Sequence, residues 1–413
     1  MSIETAAKDL ASQITRHEQV EVLCHHDADG IAAGAIMGIA LYRAHVPFRL
    51  RVTPRIQSSD IPKGGNVLLC DIGSGIPDLP EDTMVIDHHL PLFEGPYQVN
   101  PRLCGINGDL ELSGAGAAYL VANAMGDNRD LAGLVLTGVI GDGQQITGKN
   151  QEIYLEGMGN GIISKKRGIR LAGRELPEQL ILATDPYLPG ISGKETEVSS
   201  LISQCSEGKD QPATDMLLSL LVLSTAEKSR TQALQNLYGD IYQLEREVVT
   251  DAHTMTMLID ACGKEDRGSI GAALCLRSSA EISQAWEIAR DHRLRVIDEL
   301  HHSLTNTGER SGEFYETREK RYASDVADIL CNSLDQGDRP IIVISRQPDA
   351  DAHVSIRIPT PIAGKAGSDL GILVHTLAEE CGGHGGGHIS RAGATIANEH
   401  LTRFITAVQE AYA

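Results

Sequence analysis

Aromatic side chains are scarce in this chain: one Trp, four Phe and ten Tyr among 413 residues, 4% in all. That scarcity argues against an extended ring-stacking platform for nucleic acid; Tyr154, Tyr187 or His side chains could stack a base or two at most. Positive charge is also short, with 36 Lys and Arg against 56 Asp and Glu and a formal net charge of −20. A uniformly basic nucleic-acid-binding surface is thereby excluded, whereas a local basic patch, or metal ions that bring their own positive charge, is not. No run approaches the roughly 18 uninterrupted apolar residues of a membrane span. The N-terminal MSIETAAKDLASQITRHEQ carries charges where a signal peptide needs an apolar core. The eight cysteines, at 24, 70, 104, 205, 262, 275, 331 and 381, contain no Cys-x-x-Cys pair. They read as reduced thiols, which points to a cytoplasmic protein. No G-x-x-x-x-G-K-[ST] motif supports an ATP-driven motor, and neither an internal repeat nor a low-complexity tract is evident.

What is present is an ordinary globular composition, 41% hydrophobic and 22% charged, with 42 glycines. The length suggests two or three domains of about 100–200 residues. In the first half, short apolar runs alternate with helical patterns. QVEVLC (19–24) reads as a buried strand before HHDADG and a small-residue helix over 31–45. NVLLCDIGSG (66–75) and TMVIDHHLP (83–91) repeat the plan, Ser113 reads as an N-cap, and 130–144 ends in a fourth acidic turn. Strands separated by helices predict a parallel α/β sheet, whose ligands bind at the carboxyl ends of the strands. All four acidic turns are expected at such ends. The Pro- and Gly-containing stretch 186–215 reads as a joint, and 213–250 as helical. The remainder holds a charged helix near 279–304, strands at 340–346 and 353–359, and the run GGHGGGHISRAG, which together predict a second α/β domain. The charged stretch 305–323 reads as a solvated helix or loop.

The acidic turns gather His25, His26, Asp27, Asp29, Asp71, Asp87, His88, His89 and Asp142. Carboxylates with imidazoles suit Mn²⁺ or similar divalent ions, while thiolate-rich sets suit zinc. Two such ions about 3.5–4 Å apart polarise a phosphate and acidify bound water. One acidic turn by itself is better explained as a helix N-cap; four of them, two containing His, are not. Downstream, Gly385-Gly386-Gly387 allow backbone N–H groups to approach phosphate oxygens, His388 and Arg391 add charge-assisted bonds, and Arg357 offers a planar fork. His384 and His388 stand four apart, but three intervening glycines make a zinc-binding helix untenable. Lys165, Lys166, Arg167, Arg170 and Arg174 form the dense basic cluster of the first domain, either a solvated face or a wall tracking the phosphates of a single strand.

HHDADG, LLCDIG, VIDHH and GVIGDG follow the order of the four motifs of the DHH-family phosphoesterases. GGHGGGHISRAG with Ser355-x-Arg357 resembles the companion DHHA1 domain. The stretch 165–193 resembles the archaeal RecJ-like branch. The resemblance spans essentially the whole chain and implies a parallel-sheet DHH domain (1–195), a helical linker (196–250) and a smaller α/β DHHA1 domain (251–413), with a cleft between the domains. It implies two Mn²⁺, with Mg²⁺ or Co²⁺ as substitutes. One would be held by His25, Asp27 and Asp71, the other by Asp29, Asp71, His88 and Asp142, with Asp71 bridging. His89 is expected near the phosphate and Asp87 to orient a His or cap the turn, while His26 sits at a position that varies in the family. Catalysis is expected from Asp27, Asp29, Asp71, His88, His89 and Asp142. Substrate contacts are expected from Arg357, Gly385, Gly386, Gly387, His388 and Arg391. The implied activity is a single-stranded DNA exonuclease, 5′→3′ favoured. The alternatives are a phosphodiesterase of short oligonucleotides, RNA or cyclic dinucleotides, a 3′→5′ enzyme, or a replication or repair scaffold. A GINS-type replication complex or a repair helicase are the partners the resemblance suggests.

Overall fold

The computed structural model describes residues 1–62, 64, 66–206, 213–305, 314–347, 350–363 and 369–412. In chain order it begins α1 (Ile3–Ile14), β1 (Val20–His25), α2 (Ala28–Arg43), β2 (Phe48–Thr53), β3 (Val67–Cys70), β4 (Met84–Ile86), β5 (Gln98–Val99), α3 (Gly114–Met125), α4 (Ala132–Gly141), α5 (Gly148–Gly159) and β6 (Ile163–Ile169). Next come α6 (Leu176–Ile181), α7 (Glu195–Ser206), α8 (Thr214–Thr225), α9 (Thr231–Asn236), β7 (Tyr238–Leu244), α10 (Ala252–Lys264), α11 (Gly268–Cys275) and α12 (Ile282–Thr305). The chain closes with β8 (Tyr315–Glu316), α13 (Ala323–Asn332), β9 (Ile341–Gln347), β10 (Ala350–Arg357), α14 (Leu370–Glu380), β11 (His384–Gly387), β12 (Arg391–Ile396) and α15 (Leu401–Ala411).

Packing divides the chain into two compact units: Met1–Arg167 with Asp240–Ala289, and Gly168–Gly239 with Arg290–Ala413. In the first unit, five strands form a parallel sheet in the order β2-β1-β3-β4-β5. Its central strands are apolar on both faces, as covered parallel sheets require; Val22, Cys24, Leu68, Leu69 and Ile86 are all buried. Cys24 pairs with Cys70 across β1 and β3, so both strands end in register. Helix α2 is small on every side (ADGIAAGAIMGIA) and lies buried over most of its length. A Cβ at Gly34 would stand 2.7 Å from Cys24 Sγ, so that glycine lets the helix lie close on β1. The Ser113 hydroxyl accepts from Gly116 N at 3.1 Å and caps α3, as its sequence position predicts.

The second unit has a mixed sheet, β11-β12-β10-β9-β8, in which β8 and β9 run parallel and the other pairs antiparallel. Ile344, Val354 and Ile356 of the sheet share a core with Val374 of α14 and with Phe404 and Val408 of α15. The α15 sequence buries Leu401, Phe404, Ile405 and Val408, the i, i+3, i+4, i+7 stripe of an amphipathic helix. All eight cysteines are free thiols. No helix among the described residues is long and apolar enough to cross a membrane.

Several local expectations change. The run before Asp142 is helix α4 rather than a strand, because a short all-apolar segment carries no periodicity that distinguishes the two. Gly138 and Gly141 give that helix a small face toward α2. Residues 238–244 form strand β7, where a helix is expected; Tyr238, Asp240 and Tyr242 alternate with Gly239, Ile241 and Gln243, a period of two. The expected joint contains helix α7, and its residues 207–212 lie outside the described residues. Residues 306–313 of the charged stretch also lie outside them. The packing units are not contiguous segments: α10 and α11, assigned to the second domain from the sequence, pack with the first sheet.

Helix α11 is tied to the first unit by charge. Asp130 accepts from Arg43 Nη1 at 2.7 Å and Nη2 at 2.9 Å, and from Arg277 Nη1 at 2.8 Å. The Arg43 guanidinium, with burial opposing and Arg277 assisting, brings the Asp130 carboxyl down to about 2. An unfolded-state aspartate titrates near about 3.9. Asp130 therefore stabilises the fold above that pH, and the contribution is lost as pH falls toward about 2. Asp130→Asn is expected to cost about 1–2 kcal/mol in urea unfolding at neutral pH. The gap from wild type should close as pH falls from about 4 to about 2; a gap unchanged by pH would show that the charge is not what holds α11.

Candidate metal centre

Three acidic turns leave the carboxyl edge of the parallel sheet, after β1, β3 and β4, and α4 delivers a fourth carboxylate to the same place. Asp27 is the N-cap of α2; its Oδ1 accepts from Gly30 N at 2.9 Å. Its other oxygen lies 2.8 Å from His25 Nδ1. The cap and the site thus use different oxygens of one side chain. Asp29, in the first turn of α2 and fully buried, turns to the start of α3 and accepts from Gly114 N at 2.6 Å and Ala115 N at 2.9 Å. Helix N-termini favour anions, and here two backbone amides hold one carboxylate in place.

Asp71 follows β3 in the left-handed region, at φ +58°, which a non-glycine residue rarely adopts. Its carboxylate is buried, and neither oxygen has a hydrogen-bond partner among the described residues. His25 Nδ1 lies 3.7 Å from one of them and His88 Nε2 3.2 Å from the other. His88 is wholly buried and its Nδ1 donates to the Gly108 carbonyl at 2.6 Å. That bond turns Nε2 inward, 3.2 Å from Asp142 Oδ2 and 3.7 Å from Asp29 Oδ2. Asp87 stands beneath the turn, accepting from Ser74 N at 2.8 Å, His88 N at 2.8 Å and His89 Nδ1 at 2.7 Å. It orients His89 and closes the turn, as its sequence position suggests.

Charge in this cluster is crowded. Burial, and then the neighbouring Asp71, push Asp29 up to about 7, and burial and Asp29 push Asp142 well above the usual carboxylate range. His25 and His88 are raised despite burial, His25 by Asp27 and His88 chiefly by Asp71 and Asp142. Such carboxylates call for added positive charge. The donor atoms of His25, Asp27 and Asp71 lie within 4.8 Å of one another, and so do those of Asp29, His88 and Asp142. Asp71 belongs to the first group and reaches His88 of the second. Asp71, Asp87 and His89 make a further set of this kind, although Asp87 is already occupied. Oxygen and imidazole donors around an unsatisfied buried carboxylate fit divalent cations of the Mg²⁺ and Mn²⁺ type. His26 is turned edge-on to His25, ring centroids 4.7 Å apart, and its carbonyl is where a Cβ on Gly263 of α10 would fall.

The residues expected to contact substrate all lie in the second unit, and one differs from expectation. Arg357 is 7% exposed and its fork is already engaged. Nε and Nη2 donate to the Asp328 carboxylate at 2.8 and 3.1 Å, Nη2 to Ser324 Oγ at 2.6 Å, and Nη1 to the Ile356 carbonyl at 3.0 Å. It braces β10 against α13 and leaves no open fork for a phosphodiester. Arg391 faces it across the β10–β12 ladder, 3.5 Å from Asp328 Oδ1, with a third of its side chain exposed. The glycine run is a strand, β11, rather than a loop. Gly385 and Gly387 are required by packing, since a Cβ would press on Gly393 O or on Arg391 O; Gly386 faces open space. His388 N donates to the Arg391 carbonyl at 2.7 Å, closing the turn that follows. Asp328 and Gly108 were not singled out from the sequence. The spacing Asp325-x-x-Asp328 on α13, one helical face, was the available signal for the former.

A family model for the DHHA1 domain matches residues 314–413. A protein of Methanocaldococcus jannaschii is 26% identical over 435 residues, covering 99% of this chain and 96% of its own. Among solved structures, RecJ of Thermus thermophilus in complex with Mn²⁺ superposes with a TM-score of 0.60 at 17% identity. That match covers 99% of this chain and 54% of RecJ, so this chain spans about half the RecJ length. Cdc45 of Entamoeba histolytica gives 0.60 at 11% identity, covering 99% and 98%.

A glycine on α4 offers a test of the centre. Replacing a mid-helix Gly by Ala ordinarily stabilises by about 0.5–1 kcal/mol. At Gly138 the new Cβ would overlap Asp29 Oδ1 and stand 2.8 Å from Ala115 Cβ. Gly138→Ala is therefore expected to lower the melting temperature and to weaken Mn²⁺ binding at least about tenfold by calorimetry. An unchanged Mn²⁺ isotherm would remove Asp29 from the metal site. Residues 314–413 thus match the DHHA1 domain, and the chain as a whole is similar in fold to RecJ.

Proposed function

We propose that this protein is a Mn²⁺-dependent phosphodiesterase that releases nucleotides stepwise from one end of single-stranded DNA, in the 5′→3′ direction. The observation that carries this reading is Asp71: a buried carboxylate whose two oxygens are unsatisfied among the described residues, a member of one group of three donors and 3.2 Å from His88 of a second. His25, Asp27 and Asp71 would hold one cation, and Asp29, Asp71, His88 and Asp142 the second. Divalent cations held there would supply Lewis acidity, for polarising a phosphate and lowering the pKa of water toward neutrality. The Mn²⁺ in the RecJ structures supports the choice of metal.

The protein's own groups divide the remaining work. The α3 amides on Asp29 and the Gly108 carbonyl on His88 fix the donors before substrate arrives, so little reorganisation is needed. His89 donates from Nδ1 to Asp87, which leaves Nε2 as the working nitrogen. Burial disfavours its charged form, but Asp87 outweighs that and raises its pKa. The protonated ring would donate from Nε2 to a phosphate oxygen. In the DHHA1 domain, the Gly386 backbone, His388 and Arg391 would contact phosphates, with Gly385 and Gly387 setting the strand and Arg357 and Asp328 bracing Arg391.

A second reading keeps the chemistry and changes the substrate to short oligonucleotides, RNA or cyclic dinucleotides; a scaffold role is weakened by the filled donor positions. Digestion of 5′- and 3′-labelled single strands beside dinucleotides, with Mn²⁺, Mg²⁺ or EDTA, separates them. Release of 5′-labelled mononucleotides first, abolished by EDTA, is the expected result. Cleavage confined to dinucleotides would replace the exonuclease reading. Asp29→Asn and Asp142→Asn should each lower Mn²⁺-dependent turnover by at least about a hundredfold, and full activity in either would overturn the assignment of these two carboxylates.

A further inference from the structure

We infer that the face built by β6, β7 and the start of α10 is a second contact surface for single-stranded nucleic acid, reaching beyond the metal centre. The inference rests on the nucleic-acid reading above. Ser164, Lys165, Lys166 and Arg167 are consecutive exposed residues of β6. Lys165 and Arg167, two apart, share one face of that strand, as Asp240 and Tyr242 do on β7. The faces coincide: Lys165 Nζ lies 2.9 Å from Asp240 Oδ2 and Arg167 Nη1 3.8 Å from its Oδ1. Asp240 thus holds two cations on one side of the ribbon, leaving positive charge on a chain whose net charge is −20.

The same side carries rings. Tyr242 meets Tyr154 of α5 edge-on at 5.7 Å and lies nearly parallel to His253 of α10, 15° between planes and 6.2 Å between centroids. None of the three is buried. In a chain with so few aromatics, a part-exposed ring cluster beside two cations is a combination that core packing does not require. Rings stack bases without regard to sequence, and Lys and Arg follow the phosphates; together they are what a single strand needs. Among the described acidic groups of this face, Asp240 is paired with the cations, Asp251 caps α10 through Thr254 N at 2.8 Å, and Glu245 accepts from Ser164 Oγ at 2.7 Å.

Helix α10 gives the distance. It starts beside Tyr242 at His253 and meets the His26 carbonyl at Gly263, next to the metal ligands. Ten residues of α-helix span about 15 Å, a separation that a dinucleotide seated at the metal centre would not bridge. The surface should therefore matter to a strand of several nucleotides and not to a dinucleotide.

Binding of a fluorescein-labelled oligothymidylate of about 12 nucleotides, followed by anisotropy in EDTA across a salt series, tests this apart from catalysis. In the triple variant Lys165→Ala, Lys166→Ala, Arg167→Ala, Kd should rise at least about tenfold and the salt slope should fall by about 1.4, the two cations of that face at about 0.7 each. Tyr242→Ala should weaken binding while Tyr242→Phe retains it, and Asp240→Asn should tighten it. Dinucleotide hydrolysis should be the same in the triple variant as in wild type. An unchanged Kd and slope in the triple variant, or no oligothymidylate binding by wild type, overturns the surface; continued dinucleotide hydrolysis would leave the catalytic reading standing. Binding that behaves as described, in a protein that cleaves no phosphodiester with any metal, supports the surface and removes the phosphodiesterase reading.

Discussion

Mutual repulsion among four carboxylates at one sheet edge is the constraint around which the first unit is organised. Asp27, Asp29, Asp71 and Asp142 converge where water is largely excluded, and a buried charge without compensation is costly. The fold answers with dipoles and imidazoles. The α2 and α3 amides take Asp27 and Asp29, and His25 and His88 lie against the rest. Among the described residues Asp71 receives no hydrogen bond; it sits in left-handed backbone, belongs to one donor group and lies against His88 of the other. Strain and an unsatisfied carboxylate at one residue are disfavoured for folding alone. Both are features that the proposed cation site would use.

Close approach of backbone to these carboxylates depends on missing side chains. Gly114 lets the start of α3 come against Asp71, where a Cβ would stand 2.6 Å from Oδ1, and Gly138 lets α4 pass Asp29. Gly108 brings a carbonyl onto His88, and a Cβ there would collide with the His88 carbonyl. A share of the 42 glycines thus has a specific reason: helices must lie near enough for their amides and carbonyls to hold the donors. Alanine would suit several of these helices better by propensity, so the close approach outweighs the local preference.

Legibility from sequence followed the strength of local signals. Each of the three strand-end turns pairs an apolar run with an acidic residue, so β1, β3, β4 and their donors could be placed from residues alone. Asp142 was read as a member of the same set, but its element was not, because AGLVLTGVIG is apolar throughout and carries neither period. Strand β7 was hidden by helix-favouring neighbours; its pairing with β6, about 70 residues earlier, is a tertiary fact. The non-contiguous packing units are likewise set by which apolar faces meet, and composition does not report that.

Arg357 shows the limit of reading a side chain by its capacity. A guanidinium can fork onto a phosphodiester, and Ser355-x-Arg357 beside a glycine run invites that role. Yet position 357 ends a strand whose neighbours Ile356 and Ile358 are core, and an arginine there must be paired within the protein to be buried at all. Asp328 supplies the pairing, and although burial pushes the other way, Arg357 and Arg391 hold its carboxyl below the usual range. The shorter contact goes to the buried arginine, 2.8 Å against 3.5 Å, and a third of the Arg391 side chain meets solvent. Of two arginines opposed across one ladder, burial commits the first to structure, while the second keeps part of its side chain in solvent.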